Sequence, residues 1–256
     1  MTALLTVSDL AKSYGAHQVL KDINFTVDDG EGFVIIGPNG AGKTTLFKSL
    51  TGEIPVNTGA INFAGVDITA LPAHVRVRMG FGRTFQVSRV FLEFTALENL
   101  VVAIETRKFS EGKRSGSWYA VKPAPDVVGE ALERLSRIGL VDKRFVEARH
   151  LSHGDKKKLE LAIALTSEPR VLMLDEPTAG MSPAERRQTI ELLQQIRAEH
   201  GVTLMLTEHD MDVVFGLADR ILVLNYGEII TIGDPQAVRH DPVVSEIYLG
   251  QEMSHA

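Results

Sequence analysis

The chain has 256 residues, 44 % of them hydrophobic and 6 % aromatic, which suits a globular protein with one large core and room for an attached lobe. It contains no cysteine, so disulfides, thiolate metal sites and cysteine nucleophiles are excluded. A formal net charge of −6 argues against broad electrostatic binding to nucleic acid.

The segment from Met1 to Asp9 lacks a basic stretch followed by an apolar one. No apolar run approaches the roughly 20 residues of a membrane span, so the expectation is a chain neither secreted nor integral to a membrane. Short β-type runs come first, at residues 4–7, 23–27, 33–36 and 60–63, with a helical run at 45–50 between the last two. Thr95 and Glu98 make a capping box ahead of Asn99-Leu100-Val101-Val102, the start of a helical lobe. Residues 106–126 are rich in charge, Gly, Ser and Pro and carry the one tryptophan, which reads as an exposed loop or ordered insertion. Asp126 is expected to cap a second helix running through Arg137, and residues 155–167 a third, with apolar Leu159, Ala162, Ile163 and Leu165. Strand-like runs return at 171–174, 202–207, 221–224 and 229–232, the last two flanking an Asn225-Tyr226-Gly227 hairpin turn. A helical pattern over 183–199 lies between two of them, which implies crossover units and an α/β fold with a partly parallel sheet.

Gly37-Pro38-Asn39-Gly40-Ala41-Gly42-Lys43-Thr44 matches G-x-x-x-x-G-K-[ST], follows an apolar strand and precedes a helix that Thr45 continues. Glycines let such a backbone curl so that its N–H groups face phosphate oxygens, and the helix N-terminus adds a favourable dipole. Lys43 would bridge the β- and γ-phosphates of ATP, and the Thr44 hydroxyl would ligate Mg²⁺.

Val171-Leu172-Met173-Leu174-Asp175-Glu176 is an apolar strand ending in two carboxylates, resembling the second nucleotide-binding motif of P-loop ATPases. Carboxyl ends of strands are where ligands bind in open α/β sheets. Asp175 would hold Mg²⁺ through water, and Glu176 would polarise or deprotonate the attacking water. Neighbouring strand side chains point to opposite faces, so two adjacent carboxylates take different roles.

Leu151-Ser152-His153-Gly154-Asp155 resembles the signature motif of ATP-binding cassette (ABC) proteins, and that resemblance covers nearly the whole chain. Singly, Tyr14 reads as a surface aromatic, Gln86 as a loop amide and His209 as a core histidine. Their order and spacing around the phosphate loop instead match the family's adenine-stacking aromatic, its glutamine between two lobes and its switch histidine. The resemblance implies a P-loop NTPase core with a mixed sheet, an N-terminal antiparallel β subdomain and an inserted α-helical subdomain. Residues 1–86 and 167–256 would form the core with its β subdomain, and 87–166 the helical subdomain. It also implies an ATPase whose catalytic set is Lys43, Gln86, Glu176 and His209, with Thr44, Gln86 and Asp175 on Mg²⁺. Two subunits, identical or paralogous, would pair head to tail, with Ser152 and Gly154 of each reaching the γ-phosphate held by the other. His153 and Asp155 stand where the family usually has glycine and glutamine, and Ser182 stands where it usually has aspartate. Ser182 leaves the communication between the two sites open.

Arg83-Thr84-Phe85-Gln86, the run Glu93-Phe94-Thr95-Ala96-Leu97-Glu98-Asn99, Glu208-His209-Asp210-Met211 and the tail Gly233-Asp234-Pro235 look like the importer branch for branched-chain amino acids. That branch implies membrane permease subunits, a solute-binding protein outside, and a peripheral place on the cytoplasmic face of the membrane. Ser152-His153-Gly154 is also similar to urea and short-amide importers of the same branch. Residues 87–94, with apolar Val90, Phe91, Leu92 and Phe94, are candidates either for permease contact or for plain core packing. A cassette ATPase acting on nucleic acid or ribosomes is the rival class. Such proteins usually carry tandem cassettes, coiled-coil arms or basic extensions, and this single acidic cassette shows none. A guanine-type Asn-Lys-x-Asp motif is lacking.

Overall fold

The computed structural model describes residues 3–83, 90–113 and 123–252. Two long strands, β1 (Ala3–Tyr14) and β2 (His17–Asp28), open the chain as an antiparallel pair. They are followed by β3 (Gly32–Ile36), α1 (Lys43–Leu50), β4 (Thr58–Phe63) and β5 (Val66–Asp67), then α2 (Ala73–Arg78) and the short β6 (Phe81–Arg83). Three helices come next: α3 (Ala96–Ser110), α4 (Pro125–Arg137) and α5 (His153–Leu165). The chain then runs through β7 (Val171–Asp175), α6 (Pro183–His200), β8 (Thr203–Thr207), α7 (Met211–Leu217), β9 (Arg220–Asn225) and β10 (Glu228–Gly233). It closes with α8 (Pro235–Arg239) and α9 (Pro242–Glu252).

One sheet is antiparallel in the order β2-β1-β4-β5. The other is mixed, in the order β10-β9-β3-β8-β7-β6, with only the β9–β10 hairpin antiparallel. Every residue of β3, β7 and β8 is buried, as a sheet covered on both faces requires. Alternation splits their side chains between two cores. Phe33, Ile35, Met173 and Met205 pack with Leu46, Phe47 and Leu50 of α1 and with the antiparallel sheet. Val34, Ile36, Leu172, Leu174, Leu204 and Leu206 pack on the opposite side with Leu193 of α6 and Val213 of α7. A third core joins α3, α4 and α5 through Leu100, Ile104, Ala131, Leu135 and Leu159.

Several boundaries differ from the sequence reading, three of them in the helical lobe. Asp126 does not cap α4: Ala124 is the cap residue, Pro125 takes the first helical position, and Asp126 lies in the first turn, paired at 2.6 Å with Lys108. The third helix begins earlier than residue 155 because Ser152 caps it, accepting from the Asp155 N–H at 3.1 Å. Of the expected insertion, residues 106–110 complete α3, and 114–122 lie outside the described residues.

Arg76 is fully buried beneath α1. Its guanidinium donates to four main-chain carbonyls: Nε to Leu71 O (2.9 Å), Nη1 to Ser49 O (2.9 Å) and Leu50 O (2.6 Å), and Nη2 to Thr69 O (3.0 Å). Burial lowers its pKa, with Asp67 opposing, yet the charge sits where the C-terminal dipole of α1 favours a cation. Replacing Arg76 by Leu strands those carbonyls, and we expect a loss of about 2–4 kcal/mol in urea unfolding. A variant as stable as the parent would mean that this anchor contributes nothing.

Candidate functional site

The phosphate loop joins the end of β3 to α1. Gly37 has φ 153°, and a Cβ there would lie 2.1 Å from the Leu224 carbonyl oxygen of β9, so only glycine allows this close approach. Gly42 has φ 108° and forms the N-cap of α1 without any side-chain hydrogen bond. In contrast, α3, α5, α6, α7 and α8 are all capped by a side-chain oxygen. Helices α2 and α4 also lack a side-chain cap, and what sets α1 apart is the curled glycine loop ahead of its open first-turn amides, the arrangement that suits phosphate. Asn39, Gly40 and Thr44 are exposed, Pro38 and Thr45 half-buried, and Ala41 buried. The Gly227 N–H of the β9–β10 turn donates to the Ala41 carbonyl at 3.0 Å, and the Gly227 carbonyl accepts from Lys21 N–H of β2 at 2.8 Å. That turn braces the loop from the flank.

Lys43 Nζ donates to the carbonyls of Gly37 (2.6 Å) and Pro38 (3.1 Å). Burial pushes its pKa below the usual lysine range, and the carboxylates of Glu176 and Asp175 pull it back up. Lysine and carboxylates thus share one electrostatic site. The strand order makes this so, because β8 alone separates β3 from β7, and all three run parallel.

Thr207, the last residue of β8, organises the carboxylates. Its hydroxyl donates to Asp175 Oδ1 at 2.6 Å and accepts from the Glu176 N–H at 3.2 Å. The Glu176 N–H also reaches the Thr207 carbonyl at 3.1 Å. Glu176 has left the strand with φ 48°, so its side chain departs from the Asp175 side, and Oε1 stands 3.9 Å from His209 Nδ1. Asp175 is buried, Glu176 half-buried and His209 exposed. Behind them, buried Glu208 accepts from Thr178 Oγ1 (2.7 Å) and Thr178 N–H (3.1 Å), and its other oxygen accepts from the His209 N–H (3.2 Å). This buried carboxylate ties the acidic loop to the segment that carries His209. Sequence reasoning missed Thr207 and the Thr178–Glu208 pair, whose partners are 30 or more positions apart.

Tyr14 sits at the exposed end of β1, with Lys12 Nζ 5.3 Å from its ring centroid. Ser152 and Gly154 lie at the start of α5, beside the N-terminus of α6, and Gly154 abuts Glu185. Gln86 and Val87 lie outside the described residues. Among the described residues no group of three or more His, Cys, Asp or Glu side chains could hold a metal by itself. One hydroxyl and one carboxylate completed by phosphate oxygens and water is a donor set that suits Mg²⁺. Among the described residues, no helix is long and apolar enough to cross a membrane.

A phosphate cradle at the carboxyl edge of a mixed sheet, faced by carboxylates from a parallel strand, defines the class: a P-loop nucleoside-triphosphatase fold. The chain belongs to the ABC transporter family, whose model matches residues 20–179. It is 38 % identical over 256 residues to LivG of Escherichia coli, a high-affinity branched-chain amino acid transport ATP-binding protein, covering 97 % of this chain and 98 % of LivG. It is 36 % identical over 261 residues to BraF of Pseudomonas aeruginosa, named for the same transport, with 97 % and 98 % covered. Among solved structures, the ADP conformation of an ABC transporter's ATP-binding cassette superposes with a TM-score of 0.85 at 29 % identity, covering 98 % of this chain and 100 % of that one.

Proposed function

We propose that this chain is the ATP-binding and ATP-hydrolysing subunit of an ABC importer that energises uptake of branched-chain amino acids or related small polar solutes. The observation that carries the reading is the meeting of Lys43, Asp175 and Glu176 at one sheet edge. Similarity to LivG and BraF along nearly the whole chain supports the cargo.

In this reading the open amides of α1 and the Lys43 ammonium bind the β- and γ-phosphates, while Tyr14 stacks on adenine. Thr44, Asp175 and Gln86 would hold Mg²⁺, which would neutralise charge on the phosphate oxygens. Glu176 accepts the proton of the attacking water, and His209 stands beside it. Ser152, exposed at the start of α5, with Gly154 behind it, presents the helix N-terminus to the nucleotide of an opposite cassette, so hydrolysis needs a pair of subunits.

An exposed apolar patch suited to docking on membrane permease subunits supports the transporter reading. Val90 belongs to the helical core, whereas Phe91, Leu92 and Phe94 are exposed, with the two phenylalanine rings 5.2 Å apart. The loop that displays them is built around buried Asn99, which accepts from Phe91 N–H (2.8 Å) and donates to the carbonyls of Phe91 (3.0 Å) and Thr95 (3.0 Å). Such apolar display costs solubility unless covered. Uptake of radiolabelled leucine by cells with and without the gene tests the function. Loss of uptake supports it; unchanged leucine uptake with impaired urea or short-amide uptake moves the cargo, and no change in either overturns importer function. Changing Phe91 and Phe94 together to Asp should cut uptake about tenfold or more while the isolated subunit still hydrolyses ATP. Normal uptake in that variant removes the docking role.

A further inference from the structure

The signature segment departs from the family pattern at His153, and the loop after the acidic strand departs at Ser182. The two segments that carry them meet in space, through His153 and Gly154 on one side and Ala179, Gly180 and Glu185 on the other. His153 Nε2 lies 3.1 Å from the Ala179 carbonyl, and its ring sits over Gly180, where an added Cβ would be 3.4 Å from Nε2. One position on, a Cβ at buried Gly154 would come within 2.7 Å of Glu185 Oε1. Glu185 is held in turn by Ser182, whose N–H (2.9 Å) and hydroxyl (2.7 Å) both donate to Oε2. The first turn of α5 therefore leans on residues 176–185, the segment that starts with Glu176.

That segment is stiff. Ala179 N–H donates to the Glu176 carbonyl and Met181 N–H to the Thr178 carbonyl, both at 3.1 Å, while Glu208 holds Thr178 from below. Successive hydrogen-bonded turns thus connect Glu176 to the Ala179 carbonyl, a path along which a displacement at Glu176 would pass. A glycine at position 153 has no side chain with which to follow it. An imidazole that donates to that carbonyl does.

We propose that His153 is a positioning residue that relays the state of a subunit's own acidic loop to its own Ser152 and Gly154, and thereby to the ATP held by the opposite subunit. The relay rests on the function proposed above and supplies the communication that Ser182 leaves open. It is a coupling free energy between two sites, carried by a direct side-chain contact.

The test is hydrolysis by the full-length protein, paired with its partner cassette, measured against ATP concentration for wild type, His153→Ala and His153→Gln. Nucleotide binding to the unpaired subunit is followed in parallel with a fluorescent ATP analogue. We expect cooperative turnover in the wild type. His153→Ala should lower kcat about tenfold and bring the Hill coefficient to about one, leaving single-subunit binding unchanged. His153→Gln, whose side-chain amide still donates to the Ala179 carbonyl, should restore both. The relay is overturned by non-cooperative wild-type turnover, by a His153→Ala variant that keeps kcat and cooperativity, or by a Gln variant as impaired as the Ala variant. Weakened binding in the unpaired subunit also overturns it, since His153 would then belong to the cradle. A wild-type chain that hydrolyses no ATP sinks the ATPase reading itself, an outcome distinct from the others.

Discussion

Glu176→Gln leaves ATP binding intact, lowers steady-state hydrolysis by about two to four orders of magnitude, and traps an ATP-dependent dimer. The substitution is isosteric, so it tests the proton acceptor and little else. Glu176 owes its placement to its main chain: φ 48°, with the N–H held by both the hydroxyl and the carbonyl of Thr207. Glutamine keeps that backbone and keeps an oxygen near His209 Nδ1. What it loses is the basicity needed to take a proton from water. The cradle for phosphate, formed by the α1 amides and Lys43, does not include the Glu176 side chain, so affinity should survive.

A dimer that binds ATP but cannot cleave it loses the hydrolytic route back to separate subunits and is left with slow ATP release, which is why size-exclusion chromatography with ATP is the matching readout. Turnover at the wild-type rate would show that another group is the base. Loss of ATP binding would instead place Glu176 in the cradle. Thr207 offers a companion measurement, because Thr207→Val keeps the shape of the side chain and removes the hydroxyl that donates to Asp175 Oδ1, while the Thr207 carbonyl still holds the Glu176 N–H. Its effect should resemble weakened Mg²⁺ affinity rather than a lost base.

The parts of the site that could be read in the sequence are those written within a few contiguous residues. The phosphate loop is one such part, since its glycines, Lys43 and Thr44 are local and the helix dipole follows at once. The Thr95–Glu98 capping box is another, and it forms as expected, with Thr95 Oγ1 accepting from the Glu98 N–H at 3.2 Å. What could not be read is tertiary. Thr207 looks like any β-branched residue of an apolar strand until β8 is placed between β3 and β7. The length of β1 was hidden for a related reason. Register shifts between Val7 and Leu10 and again near Lys12 break its two-residue alternation, so the pattern fades after Val7 while pairing continues to Tyr14. Gln86 is singled out by its order and spacing relative to the phosphate loop, and it lies outside the described residues. The sequence reading starts α5 two residues late because Ser152, which caps it, falls within the signature-like segment.

Gly37→Ala should weaken ATP binding about a hundredfold or more, and Gly40→Ala should not match its effect on stability, although both positions belong to one motif. At Gly40, with φ 81°, an added Cβ meets nothing within 4 Å, so the cost is limited to the left-handed backbone, about 1–2 kcal/mol. At Gly37 the methyl would stand 2.1 Å from the Leu224 carbonyl oxygen and 3.3 Å from Ala41 Cβ. Leu224 belongs to β9, which pairs in parallel with β3 and is buried, so its carbonyl cannot withdraw without breaking the sheet beside the site. The loop must move instead, adding about 1–3 kcal/mol of overpacking to the backbone term. Moving it shifts the Gly37 carbonyl, one of the two that hold Lys43 Nζ, and tilts the amides ahead of α1. Affinity therefore falls through displaced donors, even though the methyl touches no phosphate. Calorimetric ATP titration and thermal melting of the two variants side by side give the comparison. Equal melting of Gly37→Ala and Gly40→Ala would mean that the loop is not seated against β9, and the account of how this sheet edge shapes the phosphate cradle would fail.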